Sequence, residues 1–203
     1  MSNAHPKLAK ADRPVLAVIA ERWSPYAFDP RPVEREKLLT YLEAARWAPS
    51  SYNEQPWTFI LVERTDAAAF AQALDCLVEG NRGWAKNAGA LLLTIVSKSF
   101  KLNGKPNRAA EHDIGLAAGN LVLQATASGL QAHQMIGIEP AKIRAIYKIP
   151  DTHEPLTAIA IGYPAAVQPG STDPLAQRDL APRTRKSLSE IVVSGWGQPA
   201  KLF

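Results

Sequence analysis

The sequence predicts an α+β or mixed α/β sandwich. The 203-residue chain is 46% hydrophobic and 21% charged, which suits one or at most two globular domains with a sizeable core. Apolar runs of strand length follow runs in which apolar residues recur at helical spacing. The two kinds of run alternate irregularly, which indicates four strands and about five helices rather than a regular strand–helix–strand series.

The first half of the chain predicts two helices, a strand and a third helix. Pro14 is a favoured first residue of a helix, and Pro49 ends the second helix. β-Branched and aromatic residues make the next run a buried strand, and Gly80 ends the helix that follows. The predicted bounds are 14–21, 33–47, 57–63 and 66–81.

The second half contains the two most apolar elements. A predominantly apolar run at 89–97 predicts a central strand. The long run at 109–129 predicts a helix whose glycine and alanine residues permit close packing, with Gly129 as its C-terminal cap. The remaining predicted elements are a strand at 131–137, a helix at 140–147 and a strand at 156–164.

The whole chain, residues 1–203, is predicted to form a single domain with a core at about 14–164 and an extended C-terminal arm at 165–203. Residues 165–182 are rich in Pro, Gly, Ser and Asp, whereas 187–197 regains apolar residues. An apolar stretch beyond an extended arm has little left to pack on within its own subunit. Docking on a second subunit would bury it, which predicts a homodimer with an exchanged C-terminal segment.

Composition and charge argue against several classes of protein. No run of 18 apolar residues is present and the N-terminus lacks the apolar centre of a secretory signal, so a cytoplasmic protein without a membrane partner is expected. The one cysteine, Cys76, provides neither an internal disulfide nor a metal cluster, and its apolar neighbours predict a buried side chain. The net charge of +4 is spread along the chain, without the basic, aromatic face typical of nucleic-acid binding.

A first polar constellation follows the first helix, in ERWSPYAF, residues 21–28. Arg22 and Ser24 are hydrogen-bond donors for an anion, and Pro25 breaks the helix so that backbone groups there are free. A solvated helix end is the alternative interpretation.

A second constellation is the stretch PSSYNEQP, residues 49–56, between a helix and a strand. Two prolines hold its ends, and two hydroxyls and two amides offer donors and acceptors without charge. Such a set suits the edge of a planar heterocycle. A turn needs fewer polar residues, although a capping and turn sequence remains the alternative.

A third constellation is RTRK, residues 183–186. In an extended chain the side chains of Arg183 and Arg185 point the same way, and arginine binds a phosphate dianion with two parallel hydrogen bonds. A solvated basic tail would also explain the pattern. Taken together, the three constellations and the small-residue helix provide what flavin mononucleotide (FMN) needs, namely cations for its phosphate, polar atoms for its pyrimidine edge and apolar packing for its rings.

Five motifs occur in an order that resembles the FMN-dependent nitroreductase family, across residues 18–193. They are RWSPYAF, EAARWAPSSYNEQPWTF, EGNRGWA, DIGLAAGNLVLQA and RTRKSLSEIV. The resemblance implies a mixed, mainly antiparallel sheet flanked by helices, in an intertwined homodimer with two FMN sites at the subunit interface.

The resemblance also implies which residues bind the cofactor. Arg22 and Arg185 would hold the phosphate with help from Arg183, while Trp23 and Ser24 would run beside the phosphate and the pyrimidine. Asn81 matches an asparagine at the isoalloxazine edge, and the N–H groups of Ile136 and Gly137 would reach N5 and O4. The partner subunit would contribute the polar loop, at Pro49, Ser50, Ser51, Asn53 and Gln55.

Two positions depart from the family pattern. Tyr26, which is also expected at the cofactor, stands where the family commonly has Arg or Lys, and Trp84 stands where some members have Lys. Such cations would lie near N1 and O2 of the flavin. One of them at 4 Å contributes on the order of 4 kcal/mol at an effective dielectric near 20, so their loss would change the reduction potential.

By this resemblance the protein is an FMN-dependent oxidoreductase that takes hydride from NADH or NADPH and reduces nitroaromatics, quinones or related flat electrophiles in a ping-pong cycle. The flavin carries the electrons, so no catalytic side chain is predicted; Glu111, His112 and His133 are candidates by location only. Trp84 and Phe100 are expected to line the acceptor pocket. The alternatives are a flavin enzyme of the same fold with other chemistry (dehalogenation, dehydrogenation or consumption of the flavin) and a small basic binding module.

Overall fold

A four-stranded antiparallel sheet is the centre of the fold in the computed structural model, which describes residues 5–202. Along the sheet the strands follow the order β1-β2-β4-β3, so β2 and β4 are central and β1 and β3 are edges. The strands are β1 (Trp57–Glu63), β2 (Ala90–Ser97), β3 (Gln131–Met135) and β4 (His153–Gly162).

Helices cover both faces of this sheet, and a small hairpin lies near the C-terminus. The helices are α1 (Ala17–Glu21), α2 (Arg35–Arg46), α3 (Ala67–Asp75), α4 (Glu79–Ala85), α5 (Ala110–Ala127), α6 (Pro140–Tyr147), α7 (Pro174–Leu180) and α8 (Leu188–Ile191). The hairpin pairs β5 (Val193–Gly195) with β6 (Gln198–Pro199). Within residues 5–202, no helix has the length and apolar character needed to cross a membrane.

The two faces of β2 belong to two separate buried clusters. Leu91 and Leu93 pack with α3, α4 and α6, whereas Leu92 packs with α2 and α5 on the opposite face. A strand with both faces covered has no polar alternation, which is why this segment is apolar except at Thr94 and at Ser97, its last residue. The predicted α+β class with a mainly antiparallel sheet is therefore confirmed, and the sheet formed by β1–β4 is entirely antiparallel.

The predicted single helix at 66–81 is wrong, because the structure divides it into α3 and α4. Between them Leu77 forms a β-bridge with Ile138, and the carbonyl of Cys76 accepts a hydrogen bond from the N–H of Glu139 at 2.8 Å. These tertiary contacts replace helical hydrogen bonds that local sequence would favour. Gly80, expected to end a helix, lies inside α4.

A helix also interrupts the segment 165–182, which was expected to be extended. The carboxylate of Asp173 accepts a hydrogen bond from the N–H of Leu175 at 3.0 Å, and Pro174 occupies the first turn of α7. Both are ordinary helix-start signals. They lie in a stretch so rich in turn residues that its composition obscured them.

Candidate functional site

The segment that follows α1 runs beside the edge strand β3. The backbone N–H of Trp23 donates to the side-chain oxygen of Gln131 at 3.0 Å. Nδ1 of His133 lies 2.9 Å from the carbonyl oxygen of Pro25, and because a carbonyl only accepts, this nitrogen carries the proton and donates. The segment therefore follows β3 in the same direction, from Arg22 near its start towards its end.

Arg22 and the C-terminal arm meet around one cavity of about 620 Å³. Arg22 is half-buried, and its guanidinium donates to Oγ of Ser24 at 3.2 Å. Burial lowers the pKa of Arg22, and the positive charges of Arg183 and Arg185 lower it further. The positive charges of the three guanidinium groups repel one another, and a bound anion would offset this repulsion.

Arg183 anchors the arm as well as lining this cavity. Its Nε donates to the carbonyl of Lys7 at 2.6 Å, and its two other nitrogens donate to the carbonyls of Ala20 and Arg22 at the end of α1. A guanidinium has five N–H donors, so two remain for a ligand. Arg185 is exposed and donates to the carbonyl of Thr184 at 2.7 Å. The three arginines predicted to bind a phosphate therefore differ. Arg22 is half-buried, Arg183 is anchored by backbone carbonyls, and Arg185 is exposed.

Asp179 on α7 holds the arm against the segment after α1. Its side chain is only 2% exposed, and its carboxylate accepts hydrogen bonds from the N–H of Tyr26 at 3.0 Å and of Ala27 at 2.8 Å. Burial raises the pKa of Asp179, and these hydrogen bonds oppose the rise. Sequence reasoning missed this residue because nothing local distinguishes it from the exposed acids of a polar arm.

Aromatic rings fill the space beneath Tyr26. The ring centroid of Tyr26 lies 5.3 Å from that of Trp84 and 4.8 Å from that of His133, in both cases nearly perpendicular. Trp84 also packs on His133 at 4.4 Å and is only 4% exposed. The expectation that Trp84 lines an open acceptor pocket is therefore wrong. Burial lowers the pKa of His133, which keeps the imidazole neutral.

A cation from the arm also contacts Tyr26. The guanidinium of Arg178 lies 5.6 Å from the ring centroid and donates to the phenolic oxygen at 3.2 Å. Arg178 is the residue before the buried Asp179, so the same helix provides both contacts. A positive charge therefore lies close to Tyr26, the position at which the resemblance led us to expect a basic residue.

Asn81, Ile136 and Gly137 meet at the end of β3. The amide of Asn81 donates to the carbonyl of Gly137 at 3.0 Å, and a Cβ at position 137 would lie 2.5 Å from that amide nitrogen. A larger residue at 137 would therefore displace the Asn81 amide from this position. Ile136 is 85% exposed, and within residues 5–202 neither the N–H of Ile136 nor that of Gly137 donates a backbone hydrogen bond. Two donors and an amide are therefore available to a planar ligand.

The polar loop at 49–56 has an unusual backbone. Tyr52, Asn53 and Gln55 have φ values of 53°, 55° and 50°, in the left-handed region. Each such non-glycine residue costs about 1–2 kcal/mol, so surrounding contacts must hold the loop in this shape. Strain of this kind is common at functional sites.

Hydrogen bonds provide that support. The N–H of Ser51 donates to the buried carboxylate of Asp113 on α5 at 3.0 Å, and the N–H of Gln55 donates to Oγ of Ser50 at 3.0 Å. The amide of Gln55 donates to the side-chain oxygen of Asn53 at 3.1 Å. Asp113 is a missed residue that the sequence did signal, since it is an acid within the longest apolar helix.

The loop and the rest of the site remain separate within one chain. Pro49, Asn53 and Gln55 are exposed, and across residues 5–202 no hydrogen bond joins the loop to Arg22, Asn81 or the arm. The structure thus brings the predicted residues together in three groups. The first comprises Arg22, Trp23, Ser24, Tyr26, Arg183 and Arg185, the second Asn81, Ile136 and Gly137, and the third Pro49, Ser50, Ser51, Asn53 and Gln55.

The fold is α+β, and a cavity lined by arginines lies beside the edge of its antiparallel sheet. Comparison with known proteins identifies the family. The model of the Nitroreductase family matches residues 19–163. The chain belongs to this family, whose members are oxidoreductase enzymes.

Individual relatives agree with this assignment. A protein of Methanothermobacter thermautotrophicus, named provisionally as an NADH dehydrogenase/NAD(P)H nitroreductase, is 31% identical over 172 residues, which is 82% of this chain and 84% of that protein. A solved structure described as an oxidoreductase containing FMN is 35% identical and covers 96% of this chain and 98% of that one, with a TM-score of 0.85. The structure of an FMN-dependent nitroreductase of Clostridium difficile is 26% identical and has a TM-score of 0.65. The match covers 78% of this chain and 92% of that one.

Proposed function

We propose that the protein is an FMN-dependent NAD(P)H oxidoreductase that reduces nitroaromatics, quinones or related flat electrophiles by ping-pong hydride transfer. The observation that carries the proposal is the assembly of Arg22 with Arg183 and Arg185 around one cavity, although they are separated by some 160 positions in the chain. Such a cluster is costly without an anion to neutralise it. A phosphate monoester suits it because arginine binds phosphate through paired hydrogen bonds.

The residues beyond the cavity fit the rest of the cofactor. The segment from Arg22 to Tyr26 leads along β3 to Asn81 and Gly137, where exposed N–H groups would donate to the polar edge of an isoalloxazine. FMN, when bound, accepts hydride from the nicotinamide and passes electrons to the acceptor. The chain's own part is to hold the phosphate, orient the ring and leave one ring face open to both substrates.

A homodimer is part of this proposal, because one chain leaves both its polar loop and several apolar side chains exposed. Trp47 is 73% exposed, Leu16 70%, Ile191 60% and Trp196 fully exposed. Apolar surface of this size commonly marks an interface. We infer that the end of the arm, from Ile191 onward, and the loop at 49–56 both dock on a second copy, so that Ser50, Ser51 and Asn53 reach the partner's cofactor.

The absorbance spectrum of the purified protein, with the mass of any released cofactor, tests the cofactor assignment first. Flavin bands and the mass of FMN are expected. A colourless protein that stays colourless after addition of FMN would end the proposal. Bound FMN without oxidation of NADH or NADPH, in the presence of quinones or nitroaromatics, would instead favour a flavin enzyme with other chemistry.

Complementation between defective subunits tests whether each site combines two copies. One copy carries Arg22→Gln and the other carries Asn53→Asp, which places a negative charge in the loop. In a mixed dimer one site has both defects and the other has none, so half of the wild-type FMN binding is expected. A homodimer of either variant alone would bind FMN weakly, because both of its sites carry a defect. If the mixed dimer binds no better than the homodimers, the loop does not serve a partner's site.

A further inference from the structure

The cavity around Arg22 carries more positive charge than one FMN phosphate requires. Its lining contains a single acidic side chain, Asp12, and the whole chain has a net charge of only +4. A phosphate monoester contributes about two negative charges. The basic side chains that line the cavity are Lys10, Arg13, Arg22, Arg183, Arg185 and Lys186.

Lys10 and Arg13 belong to an N-terminal segment that precedes the family match at residues 19–163. This segment is held on the rest of the protein. The N–H of Ala9 donates to the carbonyl of Ala20 at 2.9 Å, and the carbonyl of Lys7 accepts from Arg183 at 2.6 Å. The two cations are therefore carried on anchored backbone at the wall of the cavity, although their side chains are exposed.

Apolar side chains lie beside these cations. Val15 is 47% exposed, Ile19 44% and Leu188 39%, and all three line the same cavity. This arrangement suits a ligand that joins a flat ring to phosphates. The ring would pack on the aliphatic side chains, and the phosphates would pair with the cations. An adenine nucleotide has this composition.

In one of its two possible orientations, the electron donor brings its phosphates to the same end of the site. FMN and nicotinamide nucleotides each join a redox ring to their first phosphate through one five-carbon sugar unit. When the two rings stack for hydride transfer and the chains run the same way, the donor's phosphates reach the region of the FMN phosphate. There the cations not needed by FMN would bind them.

We propose that Lys10, Arg13 and Lys186 form a second phosphate subsite for the adenosine half of the nicotinamide donor, and that this subsite gives a preference for NADPH over NADH. The inference rests on the proposed function and specifies its donor. NADPH carries one more phosphate group than NADH, so the additional cations pair with it and gain less from NADH. Arg22 and Arg185 remain the residues that hold FMN.

The test uses the FMN-loaded protein and the double variant Lys10→Gln/Arg13→Gln. Calorimetry with 2′,5′-ADP measures the subsite directly, with 5′-AMP as the ligand that lacks the extra phosphate. The wild-type protein should bind 2′,5′-ADP at least tenfold more tightly than 5′-AMP, and the variant should lose most of that difference. In turnover, the ratio of kcat/KM for NADPH to that for NADH should fall at least tenfold.

The control is Lys86→Gln/Lys148→Gln, which removes the same charge from exposed positions directly after α4 and directly after α6. It should leave both ratios unchanged, and both double variants should keep the wild-type content of FMN. Equal use of NADH and NADPH by an FMN-loaded wild-type protein would overturn this inference while leaving the proposed function intact. Loss of FMN from Lys10→Gln/Arg13→Gln would also overturn it, by assigning these cations to the cofactor. A protein that takes up no FMN would fail the proposed function instead.

Discussion

The central strand β2 and the segment at 22–28 are held in place by different forces. Leu91, Leu92 and Leu93 are at most 1% exposed and pack between helices on both faces of the sheet. Residues 22–28 instead depend on a few hydrogen bonds to Gln131, His133 and Asp179. The stabilisation of β2 is distributed over many packing contacts, whereas residues 22–28 are held by a few directional hydrogen bonds. Substitutions in β2 should therefore mainly lower stability, and substitutions around residues 22–28 should mainly affect ligand binding.

The largest effect on stability is expected in the sheet. Leu93→Ala removes a fully buried side chain from β2 and should lower the free energy of unfolding by about 2–5 kcal/mol, from lost burial and the cavity left behind. Chemical denaturation measures this. Leu102→Ala, at a position 91% exposed, should change it by less than about 0.5 kcal/mol. Equal effects of the two variants would mean that β2 is not the core.

An intermediate effect on stability is expected at Asp179, which joins the C-terminal arm to the segment at 22–28. Asp179→Ala leaves the N–H groups of Tyr26 and Ala27 without their acceptor, which should cost about 1–3 kcal/mol of unfolding free energy. It should also weaken FMN binding, because the arm that carries Arg183 and Arg185 loses its tie to Arg22. Unchanged FMN affinity in a destabilised Asp179→Ala protein would show that the arm is positioned without this contact.

A change confined to binding is expected at Arg22. Arg22→Gln removes the charge from the cavity and should weaken FMN by at least tenfold, in line with about 1.5–3 kcal/mol for a charged hydrogen bond. The apoprotein's free energy of unfolding should not fall, because burial and the neighbouring arginines lower the pKa of Arg22, which means that its charge disfavours the folded state. Fluorescence titration with FMN gives the affinity. Arg35→Gln, which breaks an exposed pair with Glu63, is the control and should bind FMN as wild type does.

The smallest effect concerns pH. Burial raises the pKa of Asp179 in the folded protein above its pKa in the unfolded chain. The carboxyl group therefore contributes fully to stability at a pH below its pKa in the unfolded chain. This contribution is lost as pH rises through its pKa in the folded protein. Asp179→Asn cannot titrate. The stability of the wild-type protein relative to Asp179→Asn should therefore decrease as pH rises across this interval. A difference that increases with pH would contradict the burial of this carboxylate.

The contrast between local pattern and long-range contacts also explains which elements could be predicted from the sequence. The bounds of β1 and α6 agree with the periodicity and proline signals of the sequence, because local pattern and tertiary packing favour the same structure there. The division of 66–81 into α3 and α4 was missed, because the contacts of Cys76 and Leu77 with residues near 138 come from a distant part of the chain. Trp84 was misplaced for a similar reason, since only the packing of α4 on His133 shows that the indole is buried.

The sequence by itself determined the class of fold, the family and the kinds of side chain that gather at the site, because apolar periodicity and motif order are properties of the chain alone. Only the tertiary structure decided which cations share a cavity, that Arg183 anchors the arm at α1, and that Asp179 joins α7 to the segment after α1. These contacts join residues more than 150 positions apart. Local sequence carries no record of such distances, since they result from how the arm folds back on the sheet.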